Sequence, residues 1–255
     1  MLTVAFMLVF GVLVGIFGSI MGLGGGILVV PIFLLLFDIP LAQTVGTSLV
    51  VVFFNSLSGT IAYARQKRIV YPITWRFGLA TVPGAFIGGY LIDYFSLSLF
   101  SVIFGLLLLF TAYTMYQKAR NIKKASDDGN LTFYQTKQKL GMLVSLFVGM
   151  LSSILGVGGG TIHVPFMNQV MKVPIHWAVA TSTSILFISA VAGLITHGSL
   201  GHILWTEAIC TGIGATIGAT IGAGIAKRLP AKKLMLIFAA FVLVMGIKFL
   251  LQAIF

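Results

Sequence analysis

The sequence predicts an all-α polytopic membrane protein made of two inverted repeats of about five helical segments each, with glycine-broken or re-entrant short helices meeting near the midplane. Three observations carry that expectation. Of 255 residues, 58% are hydrophobic and only 8% charged, against about 25% charged in a soluble domain, and mean hydropathy is +1.09. Apolar blocks fill almost the whole length, several of them near the ~20 residues that a bilayer core demands. The chain also matches itself at an offset of 134 residues.

The blocks run in order over residues 4–20, 27–37, 41–63, 73–92 and 97–116, then 141–155, 162–171, 175–197, 203–226 and 234–254. The first lacks a basic leading region and an Ala-x-Ala site, so it is expected to be a retained helix rather than a cleaved signal peptide. The second follows Gly22-Leu-Gly-Gly-Gly26, and its eleven residues, 27–37, span only about 17 Å as a helix, short of a ~30 Å hydrocarbon core. Glycine in a helix interior costs about 1 kcal/mol relative to alanine. A cluster used twice, again at Gly156-Val-Gly-Gly-Gly160, therefore marks a break at depth, either the tip of a re-entrant hairpin or the unwound middle of a broken helix. The third block carries a polar stripe at helical spacing, Thr44, Thr47, Ser48, Asn55 and Ser58, and its counterpart carries Thr181, Ser182, Ser184 and Ser189. In the ninth block, Gly212, Gly214, Gly218, Gly222 and Gly224 read as packing glycines.

The offset is an internal duplication. From Val14 to Gly88, 23 of 75 aligned pairs are identical, including Ser19/Ser153, Pro31/Pro165, Pro40/Pro174, Thr47/Thr181 and Ser48/Ser182. The domains are accordingly 1–117, a first transmembrane repeat, and 140–255, a second, joined by a basic linker at 118–139. Charge sets their relative sense. Arg65, Lys67 and Arg68 mark loop 64–72, whereas its partner 198–206 has no Lys or Arg; loop 93–98 has only Asp93, whereas 227–233 has Lys227, Arg228, Lys232 and Lys233. Even Asp38 is matched by Lys172. Lys and Arg favour the cytoplasmic side, so equivalent loops face opposite sides and the repeats are inverted. The linker is then cytoplasmic and both termini external, in the cell (inner) membrane. That topology requires 1–37 and 140–171 to leave and return to the same side.

Inverted repeats with short, glycine-interrupted segments in matching positions point to a transporter with its site near the midplane. A helix that begins inside the membrane presents unpaired amides and a partial positive charge, and glycines let an anion approach them. The candidate substrate-binding residues are Gly24, Gly25, Gly26, Gly158, Gly159, Gly160, Ser19, Ser153, Thr47, Ser48, Thr181, Ser182, Asn55 and His163. Any single membrane hydroxyl is more often bonded to a backbone carbonyl, which makes the duplicated Thr-Ser pairs the better candidates. His163, where the first half has Val29, is either a satisfied buried histidine or the one asymmetric group able to exchange a proton.

Other chemistries are excluded or unsupported. The net charge of +11 sits in short loops, as topology signals do, so no nucleic-acid partner is expected. The single Cys210 permits no internal disulfide or two-cysteine metal motif. Neither glycine cluster is followed by Lys-Ser/Thr, so neither is a nucleotide loop, and no HExxH or Ser-His-Asp pattern suggests an enzyme. No Asp or Glu lies mid-span, so the coupling ion is not readable, and no cofactor or metal is expected. The expected partners are a small anion and the lipid bilayer, with a second copy of the chain as the candidate protein partner. A channel, or a non-transporting scaffold docking through 118–139, is the alternative.

The paired "GLGGGILVVP" and "GVGGGTIHVP" segments and the "GTS" and "ATS" starts of the following helices resemble the TauE/SafE, or sulfite exporter, family of membrane transporters, over nearly the whole chain. The resemblance implies movement of a small sulfur-containing or carboxylate anion such as sulfite, sulfoacetate or thiosulfate.

Overall fold

Pro40 and Pro174, equivalent under the duplication, stand immediately before two 25-residue helices with nearly the same backbone angles, φ −53° and −55°. Proline lacks a backbone N–H and is preset for such a start. The same matching runs through the computed structural model, which describes residues 2–37, 39–120, 137–225 and 231–254. Asp38, Lys227, Arg228 and linker residues 121–136 lie outside the described residues. The helices are α1 (Leu2–Met21), α2 (Gly26–Leu36), α3 (Leu41–Arg65), α4 (Tyr71–Leu91) and α5 (Leu97–Arg120), then α6 (Gln138–Leu155), α7 (Gly160–Pro165), α8 (Ile175–Ser199), α9 (Trp205–Ile225) and α10 (Ala231–Ile254). A π turn, Phe166–Val170, extends α7. Among the described residues, six helices are long and apolar enough to cross a membrane: α1, α3, α5, α6, α8 and α9. The protein is an all-α polytopic membrane protein.

Two units are distinguished, and each draws on both halves of the sequence: 1–92 with 129–227, and 93–128 with 228–255. In the larger unit, small residues set which helices touch. Gly11 and Gly15 of α1 lie against Thr211 and Ala215 of α9, while Gly84 and Gly88 of α4 lie against Leu146 and Met150 of α6. Both pairs run parallel, and one is the other with the halves exchanged. Small residues let backbones approach closely, which supplies the van der Waals contact that holds helices together in lipid. α3 and α8 cross antiparallel at the centre, with Leu49 against Gly193 and Thr183 against Gly59.

α2 folds back along α1. Phe33 meets Phe10 with ring centroids 6.5 Å apart and Phe37 meets Phe6 at 6.1 Å, so the first two helices form an antiparallel hairpin with its tip at Gly22–Gly25. Beside α7 lies an apolar cluster of Val70, Ile73, Phe77, Met167, Met171 and Ile185. The rim is apolar as well: Leu13, Leu79, Phe147 and Ile213 are about half exposed, on surfaces suited to lipid rather than water. In the smaller unit α5 and α10 pack antiparallel, with Gly105 against Gly246 and Leu250, and Phe104 5.0 Å from Phe249.

Candidate functional site

α7 likewise folds back on α6, with His163 Nε2 3.1 Å from Ser145 Oγ, and the tips of the two hairpins meet beside the crossing of α3 and α8. α1 ends in a turn closed by the Leu23 amide donating to the Gly18 carbonyl at 2.9 Å, and α6 in one closed by the Gly156 amide donating to the Ser152 carbonyl, also 2.9 Å. Just past these turns, Gly24 and Gly158 take φ of +77° and +72°, a left-handed conformation that costs an L-residue about 1–2 kcal/mol. The loops then pass each other in contact. A Cβ on Gly26 would land on the Gly156 carbonyl oxygen and one on Gly160 on the Gly22 carbonyl oxygen, so close backbone approach admits only glycine at these positions. Gly24 and Gly158 both face Val52 of α3 and Leu186 of α8, themselves equivalent under the duplication.

This crossing leaves donors over. The amides of Gly24, Gly25, Gly26 and Ile27 have no hydrogen-bond acceptor among the described residues, nor do those of Gly158, Gly159, Gly160 and Thr161. Buried backbone N–H groups are almost always paired; here eight are not. Those of the first loop stand at the N-terminus of the eleven-residue α2, whose dipole adds partial positive charge.

The four duplicated hydroxyls hold the loops in place. Ser48 Oγ donates to the Gly156 carbonyl at 2.7 Å, and Ser182 Oγ donates to the Gly22 carbonyl at 3.1 Å, so each half grips the hairpin turn of the other. Thr47 Oγ1 accepts from the Leu204 amide at 3.0 Å and Thr181 Oγ1 from the Val70 amide at 3.1 Å, just ahead of α9 and α4. All four are buried. A second clasp was not singled out from sequence: Tyr63 Oη donates to the Ser19 carbonyl at 2.9 Å, and His197 Nε2 donates to the Ser153 carbonyl at 3.0 Å. Tyr63 and His197 are 134 residues apart, so aligning polar residues without requiring identity would have found them.

Two other buried side chains stand beside the unpaired amides. Asn55, in mid-α3 and 1% exposed, has no partner for either Nδ2 or Oδ1, and a Cβ on Gly25 would lie 3.1 Å from its Nδ2. Ser19 Oγ, nearby against Gly59, likewise has no partner. In the second half, a Cβ on Gly159 would lie 3.1 Å from His163 Nδ1, which has no partner, while Nε2 of the same ring is 3.1 Å from Ser145 Oγ. His163 stacks on Phe77 with centroids 6.4 Å apart and is fully buried. Each glycine loop is thus flanked, at the equivalent Gly25 and Gly159, by a buried side-chain nitrogen without a protein partner, Asn55 Nδ2 and His163 Nδ1. Ser153 Oγ instead lies 3.3 Å from His197 Nε2. Among the described residues no three His, Cys, Asp or Glu side chains gather to hold a metal.

The profile of a family described as Sulfite exporter TauE/SafE matches residues 7–249. A probable membrane transporter protein of Bacillus subtilis, YunE, is 32% identical, with 98% of this chain aligned to 98% of that protein. A probable membrane transporter protein of Methanocaldococcus jannaschii is also 32% identical, over 77% of this chain and 73% of that protein. No solved structure matches significantly.

Proposed function

This chain belongs to the sulfite exporter TauE/SafE family of membrane transporters, and from that premise we propose that it carries a small anion, a sulfur oxyanion or organosulfonate such as sulfite or sulfoacetate, held where the two glycine loops cross. The observation that carries the reading is the set of buried amides at Gly24–Ile27 without acceptors, next to an Asn55 amide without a partner. A negatively charged ligand accepts from donors of this kind, the backbone amides and Asn55 Nδ2. Buried polar groups left unmade cost about 1–3 kcal/mol each, so a site that collects several is stabilised by the ligand that fills them.

In this reading Gly24, Gly25, Gly26 and Asn55 bind from the first half and Gly158, Gly159, Gly160 and His163 from the second. Ser19 adds a hydroxyl, and Ser48, Ser182, Thr47 and Thr181 fix the loops that carry the donors. Anchored by opposite halves, the two hairpins give a two-fold arrangement suited to alternating access. The linker would be cytoplasmic, both termini external, and the membrane the cell's inner one, as the charge distribution predicts.

Purified protein in proteoliposomes, assayed against sulfite, sulfoacetate, taurine, thiosulfate and lactate, tests the proposal. Saturable uptake of one or more of the sulfur anions supports it. Currents far above carrier turnover would favour a channel, and no flux of any anion would contradict it.

A further inference from the structure

One group at the first glycine loop calls for more than a negative charge. Asn55 is 1% exposed, and neither its Nδ2 nor its Oδ1 has a partner. Its Nδ2 borders the loop: a Cβ on Gly25 would stand 3.1 Å from it, and one on Gly18 would collide with it. The unpaired amides of Gly24, Gly25, Gly26 and Ile27 gather there too, at the start of α2. All of these are donors, and a fully deprotonated anion, which only accepts, suits them. It does not suit Oδ1. A carbonyl oxygen also only accepts, so an anionic oxygen beside it sets lone pair against lone pair, and a donor is needed at that position.

Among the described residues, no side chain supplies that donor. α1 and α2 carry no charged or titratable residue; α3 has Tyr63, whose hydroxyl donates to the Ser19 carbonyl, and Arg65, exposed at the helix end. α8 has His176 and His197 at its two ends, and α9 has Glu207 and Cys210 in its first two turns. Ser19 Oγ, against Gly59 one turn further along α3, is without a partner itself and can either donate or accept. The requirement is also one-sided, because the counterpart of Asn55 in the second half is Ser189. An amide edge sets one donor beside one acceptor. Its complement is an acceptor oxygen and a hydroxyl on one central atom: the oxygen accepts from Nδ2 while the hydroxyl donates to Oδ1, in two parallel hydrogen bonds. The pairing is the same with the amide turned over.

We propose that the site selects a singly protonated oxyanion, HO–X–O⁻, over a fully deprotonated one, with Asn55 as the residue that reads the proton. Among sulfur anions that is hydrogen sulfite, in its hydroxyl form, rather than sulfite. The inference rests on the anion reading given above and narrows it. The proton then travels as part of the substrate and needs no titratable side chain to carry it, in a chain where no Asp or Glu lies mid-span.

Methylphosphonate and methanesulfonate separate the two cases. At mildly acidic pH both are tetrahedral monoanions of nearly the same size, and only the phosphonate keeps a hydroxyl. Ligand-dependent melting shifts of the detergent-solubilised protein give the two affinities, and phosphorus NMR across a pH titration reports the protonation state of bound methylphosphonate. Wild type is expected to bind methylphosphonate at least about tenfold more tightly than methanesulfonate, and to hold it singly protonated at a pH where the free ion has lost its proton. Asn55→Leu binds the two alike. Equal affinities in wild type, a phosphonate bound as the dianion, or a preference that survives in Asn55→Leu overturns the proposal and leaves anion binding standing. Binding of neither ligand, nor of sulfite, rejects the anion reading and the proposal with it.

Discussion

Replacing Asn55 with leucine separates a ligand-binding role from a structural one, because the two predict opposite changes in stability. Asn55 is buried at 1% exposure, and its Nδ2 and Oδ1 have no protein partner. Asn55→Leu therefore breaks no hydrogen bond of the folded protein and removes two unsatisfied polar atoms. Leaving such groups unpaired costs about 1–3 kcal/mol, so the variant should melt at the same temperature as wild type or higher. A hydrogen bond to a charged ligand is worth about 1.5–3 kcal/mol, and every 1.4 kcal/mol is about tenfold in affinity. Anion affinity should then fall about ten- to more than a hundredfold. Melting curves of detergent-solubilised protein, recorded across a sulfite or sulfoacetate titration, report both quantities at once. A lower melting temperature with unchanged anion affinity would mean that Asn55 is structural and would refute the reasoning.

Ser48→Ala strips the Gly156 carbonyl of its buried donor and should lower stability by about 1–3 kcal/mol, read as a drop in melting temperature. Gly218→Ala would set a Cβ on the Val12 carbonyl oxygen of α1 and should cost about 1–3 kcal/mol through overpacking. By contrast Gly224→Ala, with no atom of the described residues within 4 Å of the new Cβ, should raise stability by up to about 1 kcal/mol through helix propensity, which paired melting curves would check. Cysteines introduced at Asn130 and near Phe255 should label from opposite sides of the membrane; labelling from one side would rule out the inverted arrangement.

Much of the fold is legible in the residues because bilayer physics narrows the choices. Length and hydropathy mark the long helices, and the 134-residue offset pairs each with its counterpart in the other half. The glycine clusters are legible too, since four glycines in an apolar stretch contradict helix propensity unless the backbone does something a helix cannot. What the sequence conceals is which polar groups are left without partners and which hold the scaffold. Thr47, Ser48, Thr181 and Ser182 stand out by duplication, but they are duplicated because each half must hold the turn or helix start of the other, a contact across more than a hundred residues that no local pattern encodes. Asn55 and His163 have no identical counterpart, and only their three-dimensional surroundings reveal that the Asn55 side chain and Nδ1 of His163 lack partners. The close packing of α1 on α9 is equally hidden: Gly218 reads as a packing glycine, yet the absence of room for even one methyl group is a tertiary fact.

The central claim is that backbone amides at the start of α2, together with Asn55, hold the anion. A crystal structure with selenite, the selenium analogue of sulfite, tests it most directly, because anomalous scattering locates selenium without reference to the protein. A single strong peak is expected at the loop crossing, with oxygens about 2.7–3.2 Å from the amides of Gly25, Gly26 and Ile27 and from Asn55 Nδ2. A peak at the basic loop around Arg65, Lys67 and Arg68, with none at the crossing, would contradict it.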